Sequence, residues 1–250
     1  MFNKLKNPIR KNTIDIFLAT DPAASQLDLA RFKLDPLIKV LKEDYKKVDA
    51  LDFIYKCPSF TDSIKNIFVY RSPFDFSIIV SGKDTIDLEI PQGVSQEEFA
   101  PLSVNNKGKT PSKYVWQLFS TGTSFFPFAE ESCVMEMLPP YYHDYTAKIM
   151  TGAYDIGQWF RPFHPAIINL NRDTLHYKRG QPLMYVKFHT DKKVHFIDTS
   201  LTPKAENIAR SCSALKLYSN NPTMQQNYNA FNSTTAKKRL IEELKANRKN

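Results

Sequence analysis

A chain of 250 residues with 42% hydrophobic content and a formal net charge of +8 can bury a sizeable core, as one domain with appendages rather than two full domains. It holds no apolar run of about 18 residues, which excludes a membrane-spanning helix. The apolar piece at 14–19 behind the basic start is broken by Asp21-Pro22 too soon for a secretory signal, so a cytoplasmic location is expected.

Cys57, Cys133 and Cys212 are odd in number and show no C-x-x-C spacing, which argues for buried free thiols over a disulfide framework or zinc cluster. Charge collects at the ends. Residues 1–13 carry Lys4, Lys6, Arg10 and Lys11 without an acid, and residues 201–250 carry nine bases against three acids. A nucleic-acid-reading surface more often concentrates charge on the core among aromatics, so solvated ends or an acidic partner are favoured.

Residues 13–19 alternate as a short strand. Over 32–45, Leu34, Leu37, Ile38, Leu41 and Tyr45 fall near helical spacing opposite Lys39, Lys42, Glu43 and Asp44, and Asp35-Pro36 supplies a capping acid and a first-turn proline. Cys57-Pro58 opens a helical turn at 59–64 before a strand at 67–70. Phe74, Phe76, Ile78 and Val80 share one face of the next strand, which ends at Ser81-Gly82-Lys83-Asp84. Ile86, Leu88 and Ile90 alternate up to Pro91-Gln92-Gly93, and 95–110 is polar and loop-like. Strands at 115–119 and 133–138 are separated by the aromatic patch Phe125-Phe126-Pro127-Phe128.

Residues 150–200 hold four of the five histidines and read as a meander of short strands. Met184, Val186 and Phe188 alternate with Tyr185, Lys187 and His189, and Val194, Phe196 and Asp198 alternate with His195 and Ile197. Across Thr190-Asp191-Lys192-Lys193 this predicts a hairpin. Beyond 200 the period becomes helical, first from Pro203 with Ile208, Cys212 and Leu215, then from Thr235 with Leu240, Ile241 and Leu244 in one stripe. Lys238/Glu242 and Arg239/Glu243 are spaced as i,i+4 pairs.

The expected fold is mainly β with helical ends, a β-rich α+β class: an antiparallel β-sandwich or β-clip-like barrel over about 56–200, an N-terminal mixed segment 1–55 and a helical basic segment 201–250. Phe125, Phe126, Phe128, Tyr141, Tyr142, Trp159 and Phe160, beside Arg161, are the strongest site-like feature, as a ligand-stacking pocket or an interface, against ordinary core.

Lys56-Cys57-Pro58-Ser59-Phe60 with residues 66–76 (NIFVYRSPFDF), together with 150–188, resembles an uncharacterised family frequent in tailed phages and bacteria. The later stretch is similar, more distantly, to the β-clip barrel of trimeric dUTPases and dCTP deaminases. There Gly152-Ala153-Tyr154-Asp155 and Gly180-Gln181-Pro182-Leu183 stand at the two glycine corners. The resemblance implies that Asp155 polarises an attacking water and that an aromatic three residues on stacks on the base. Position 158 is Gln158, with Trp159 one place later; the serine-rich phosphate motif is missing and no glycine follows Gly180. A phosphate cradle needs such glycines, which favours Asp155 as a turn-capping carboxylate.

His189-x-Asp191 matches the start of an iron/2-oxoglutarate oxygenase triad, but His195, the one later histidine, would point to the other face of the hairpin, so no metal is expected. His143, His164 and the Glu130-Glu131-Glu136 set read as packing or edge residues. The leading functional expectation is a non-catalytic, phage-associated binding or assembly protein without cofactor, acting on a protein partner or itself. Nucleic acid contact through Lys237, Lys238, Arg239 and Arg248 is the secondary role considered, and a chain ending at Asn232 is expected to lose that contact while keeping its fold. A nucleotide-processing enzyme of dUTPase-like descent is the alternative, and a metal oxygenase the weaker one.

Overall fold

The computed structural model describes residues 12–20, 34–46, 53–72, 75–80, 86–89, 115–117, 125–144, 148–149, 151–163, 166–168, 174–212 and 222–249. The basic start, the turns expected at 81–84 and 91–93, the loop 95–110 and His164 lie outside them. In chain order the elements are β1 (Thr13–Thr20), β2 (Asp35–Pro36), α1 (Leu37–Asp44), α2 (Pro58–Ser63), β3 (Ile67–Arg71), β4 (Phe76–Val80), β5 (Ile86–Glu89), β6 (Val115–Gln117) and β7 (Phe125–Ala129). They continue with β8 (Val134–Leu138), β9 (Lys148–Ile149), β10 (Gly152–Asp155), β11 (Ala166–Ile168), β12 (Leu175–Tyr177), β13 (Pro182–His189), β14 (Lys193–Ser200), α3 (Pro203–Cys212), α4 (Met224–Asn232) and α5 (Ala236–Ala246).

The architecture is β-rich α+β, with mostly antiparallel pairing. A five-stranded sheet, β10-β8-β13-β3-β2, packs against a three-stranded sheet, β14-β1-β7, and β12-β4-β5 and β6-β11-β9 form two smaller sheets. Residues paired across neighbouring strands share a face. Leu18 of β1 lies opposite Pro127 of β7, and Ile16 beside Phe196 of β14. That face looks at the large sheet, where Phe125 meets Tyr70 at 6.1 Å and Phe196 meets Phe68 at 4.8 Å. The opposite face, with Phe17 and Phe128, looks at the C-terminal helices, where Phe128 meets Phe231 edge-on at 6.3 Å. A strand buried on both faces reads as a near-continuous apolar run, which is why β1 carries Ile16-Phe17-Leu18-Ala19.

The far face of the large sheet is covered by α1 and the α2 turn, through Leu37, Val40, Leu41 and Ile64 against Ile67, Val69 and Tyr185. The layers therefore run helix, five-stranded sheet, three-stranded sheet, helix. No helix among the described residues is long and apolar enough to cross a membrane.

Several sequence readings change. The hairpin at 183–198 does not form: β13 gives both edges to β3 and β8, and β14 crosses to the other sheet and pairs parallel with β1. Asn66, at φ 56°, holds the crossing by donating from its side-chain amide to the carbonyls of Thr190 at 2.7 Å and Lys192 at 3.0 Å. Burial of Met184, Val186, Phe188, Val194 and much of Phe196 still follows the expected alternation, because the two strands meet the same core from opposite sheets. The patch 125–128 is a strand; among the described residues β1 is its one ladder partner, and its other edge meets 156–163 through Ala129 N–H to Ile156 O and Phe163 N–H to Phe125 O, an edge position where a proline such as Pro127 is tolerated. Asp35 does not cap α1; it lies in β2 and takes Lys39 at 3.0 Å.

At the C-terminus the apolar stripe docks, with Leu240 and Leu244 fully buried and Ile241 packed beside them. Glu243 does not pair with Arg239. It accepts from Lys204 and Thr202, each at 2.8 Å, and so ties α5 to the start of α3. Residues 247–249 lie antiparallel along β14, with Lys249 N–H donating to Asp198 O at 2.8 Å and Ser200 N–H to Asn247 O at 3.1 Å. An otherwise open sheet edge is thereby blocked.

Candidate functional site

Asp155 ends β10 and is 5% exposed. One carboxylate oxygen accepts the backbone N–H of Cys133 at 3.0 Å and of Gly157 at 2.8 Å; the other accepts Ser132 Oγ and Gln158 Nε2, the latter at 2.7 Å. Its own N–H donates to the Tyr228 hydroxyl of α4 at 2.8 Å. Burial pushes the carboxyl towards neutrality, but the donated hydrogen bonds outweigh it and hold Asp155 below its ordinary value. With about four lone-pair positions on a carboxylate, all are taken, and none is left to orient a water. The group pins the 156–158 turn to the strand that follows Ser132.

Gly157 belongs to the same corner. A Cβ there would sit 2.1 Å from the Glu131 carbonyl oxygen, a backbone atom that cannot swing aside. Gly157→Ala is expected to cost about 2–3 kcal/mol of unfolding free energy in urea titration, through enforced displacement of packed backbone.

The predicted aromatic set does not form one surface. Phe125, Phe128, Trp159 and Phe160 are buried in the main core, with Phe126 packed at its margin against Phe160. Trp159 donates its indole N–H to Cys212 O at 3.3 Å, carries the Arg161 guanidinium 4.7 Å from its ring and meets Tyr154 edge-on at 5.9 Å, which leaves no open face for a base. Tyr141 and Tyr142 lie elsewhere, on the outer side of the five-stranded sheet against Tyr185.

The histidines of the proposed metal triad separate likewise. His189 pairs with Glu136 at 2.7 Å, His195 with Asp15 at 3.0 Å on the other sheet, and the Asp191 carbonyl accepts from Lys65. Among the described residues no group of three or more His, Cys, Asp or Glu is placed to hold a metal ion.

Sequence reasoning missed a polar chain under α1. His143 meets the Tyr185 hydroxyl through Nδ1 at 2.6 Å and Asp44 Oδ2 through Nε2 at 3.1 Å, while Arg71 lies 3.9 Å from the same carboxylate oxygen. Tyr45 stacks on the imidazole at 6.0 Å and donates its hydroxyl to Tyr142 O at 2.5 Å. Tyr185, expected on a solvent face, is fully buried.

No family model, curated protein or solved structure matches the chain.

Outside this polar chain runs a track of ring contacts: Tyr141 to Tyr142 at 4.7 Å, Tyr142 to Phe60 at 5.8 Å, and Phe60 to Tyr55 at 6.2 Å. Lys42 lies 5.7 Å over the Tyr55 ring, within range of a cation–π contact. Tyr141 is 46% exposed, and Phe53, two residues before Tyr55, is 73% exposed. The track ends at an open cleft of ≈ 460 Å³ along α1, lined by Ile38, Lys39, Lys42, Glu43 and Lys46.

Proposed function

We propose that the chain is a non-catalytic binding or assembly protein of the phage-associated kind, presenting the outer face of α1 and α2 to an acidic protein partner. The observation that carries this is the continuous track from Tyr141 through Tyr142, Phe60 and Tyr55 to Lys42. Tyr141 is exposed and Tyr142, Phe60 and Tyr55 are half-buried, and aromatic side chains are enriched at protein interfaces and among their anchoring residues. Lys39 is held by Asp35 and Glu43, and Lys42 and Lys46 leave the cleft positive, which fits an acidic partner. The occupied carboxylate of Asp155 speaks against the nucleotide-processing alternative.

Nucleic acid contact is the second reading. Lys237, Lys238 and Arg239 make no ion pair among the described residues, whereas Arg248 lies 5.5 Å over the Phe17 ring and serves the fold.

A photo-cross-linking residue at Phe53 should give a discrete protein adduct in cell extract. Unlabelled wild-type chain should compete for it, and a Tyr141→Ser, Lys42→Glu chain should not. Equal competition by both would overturn the proposal. Adducts to nucleic acid from a cross-linker at Lys238, with none from Phe53, would favour the second reading. Stoichiometric pyrophosphate release from dUTP or dCTP with magnesium would restore the enzyme.

A further inference from the structure

We propose that Asp44, His143 and Tyr185 form an acid-released latch that ties α1 and the 139–144 loop to the five-stranded sheet. The three residues come from three separate elements and meet in one hydrogen-bonded chain. The Tyr185 hydroxyl is within hydrogen-bond distance of two groups, His143 Nδ1 and the backbone N–H of Tyr142, the latter at 3.2 Å. An N–H can only donate, so Tyr185 accepts from Tyr142; with the neutral ring's one proton on Nε2, facing the Asp44 carboxylate, Nδ1 is the acceptor for the Tyr185 proton. Every partner is satisfied in this one arrangement.

Protonation breaks it. A proton on Nδ1 turns that nitrogen into a donor, so the Tyr185 oxygen receives two donors and its own proton loses its acceptor, on a residue with 0% exposure. Other groups around the ring pull in both directions. Asp44 on α1 and Asp144 on the loop favour the cation, and Arg71 on β3 opposes it; Tyr45 and Tyr185 supply neutral walls. The histidine side chain is only 8% exposed, and its burial, the largest influence, pushes the imidazole below its ordinary value despite Asp44.

The sign follows. An opened or unfolded state binds the proton more readily than the latched state. The latch therefore contributes fully above the ordinary histidine value, about 6.5, and loses its hold as pH falls below that towards the latched value. The side that opens is the one bearing the cleft and the Tyr141 track, so acid would loosen the layer that carries them; the latch itself does not depend on what binds there.

Hydrogen exchange of the full chain tests this, with rates corrected for the intrinsic effect of pH. Between pH 7.5 and 5, amides at 37–45 and 141–144 should open several-fold more than those of β1. His143→Gln, whose amide can both accept and donate but does not titrate, should abolish the difference. NMR titration of His143 in the wild-type chain gives a second measurement that needs no variant. A midpoint at or above the ordinary histidine value, equal opening at both pH values, or the same acid response in His143→Gln would each overturn the latch.

Discussion

Asp155→Ala is expected to lower the unfolding free energy by about 4 kcal/mol, because it strands two buried backbone donors, the N–H groups of Cys133 and Gly157, at about 1–3 kcal/mol each, besides losing the charge-assisted bonds. Ser132 is exposed and Gln158 half-buried, so both can turn to water and contribute less. Asp155→Asn keeps an oxygen for the two backbone groups and should cost about half as much. Urea titration at pH 7 measures both; equal losses from Ala and Asn would show that the charge, not the acceptor, holds the corner. The acid limb has a definite sign. A carboxyl held below its ordinary value contributes stability above the unfolded value, and that contribution is lost as pH falls through the folded value. Wild-type stability should therefore decline more steeply below about pH 4 than that of Asp155→Asn.

Removing residues 233–250 should abolish cooperative folding. The apolar stripe Leu240, Ile241 and Leu244 already points to a docked last helix, whereas a chain ending at Asn232 is expected from the sequence to keep its fold; the extent of the packing argues against that second expectation. Leu240 and Leu244 are fully buried, Arg248 covers the Phe17 ring and residues 247–249 pair along β14. Losing two such leucines costs about 2–5 kcal/mol each, against a total margin of about 5–15 kcal/mol. Loss of near-ultraviolet circular dichroism with gain of dye binding would mark the collapse. A sharp thermal transition within a few degrees of the full chain would show that α5 adds little to the core.

The strands of the large sheet were legible because alternation reports which side of a strand is covered. It does not report the partner. Met184, Val186 and Phe188 read correctly as buried, yet the same pattern suits a hairpin and a crossing between two sheets. Alternation places Tyr185 towards solvent because it assumes one open face, and α1 closes that face. The aromatic set failed for a related reason. Phe125 and Tyr141 are close in sequence, but the strand β8 between them carries the chain from one side of the core to the other. The turn-capping role of Asp155 was readable from the glycine corner, whereas two of its donors come from positions 132 and 133, beyond any local signal. The Asp44–His143–Tyr185 chain leaves no trace in spacing at all, since its members are brought together only by tertiary packing.

The parallel pairing of β1 with β14 joins residues about 180 positions apart, as the Asp15–His195 contact shows. During synthesis β1 emerges long before its partner exists, and Ile14, Ile16, Phe17 and Leu18 must wait without the sheet that will cover them. Closing so long a loop is entropically slow, and an apolar strand with an unfilled edge is prone to pair with another chain meanwhile. β7, which is made earlier and pairs antiparallel with β1, can shelter one side of it in the interval. Completion of the three-stranded sheet then belongs to the last stage of folding, and slow, concentration-sensitive refolding from denaturant is the kinetic signature that this topology imposes.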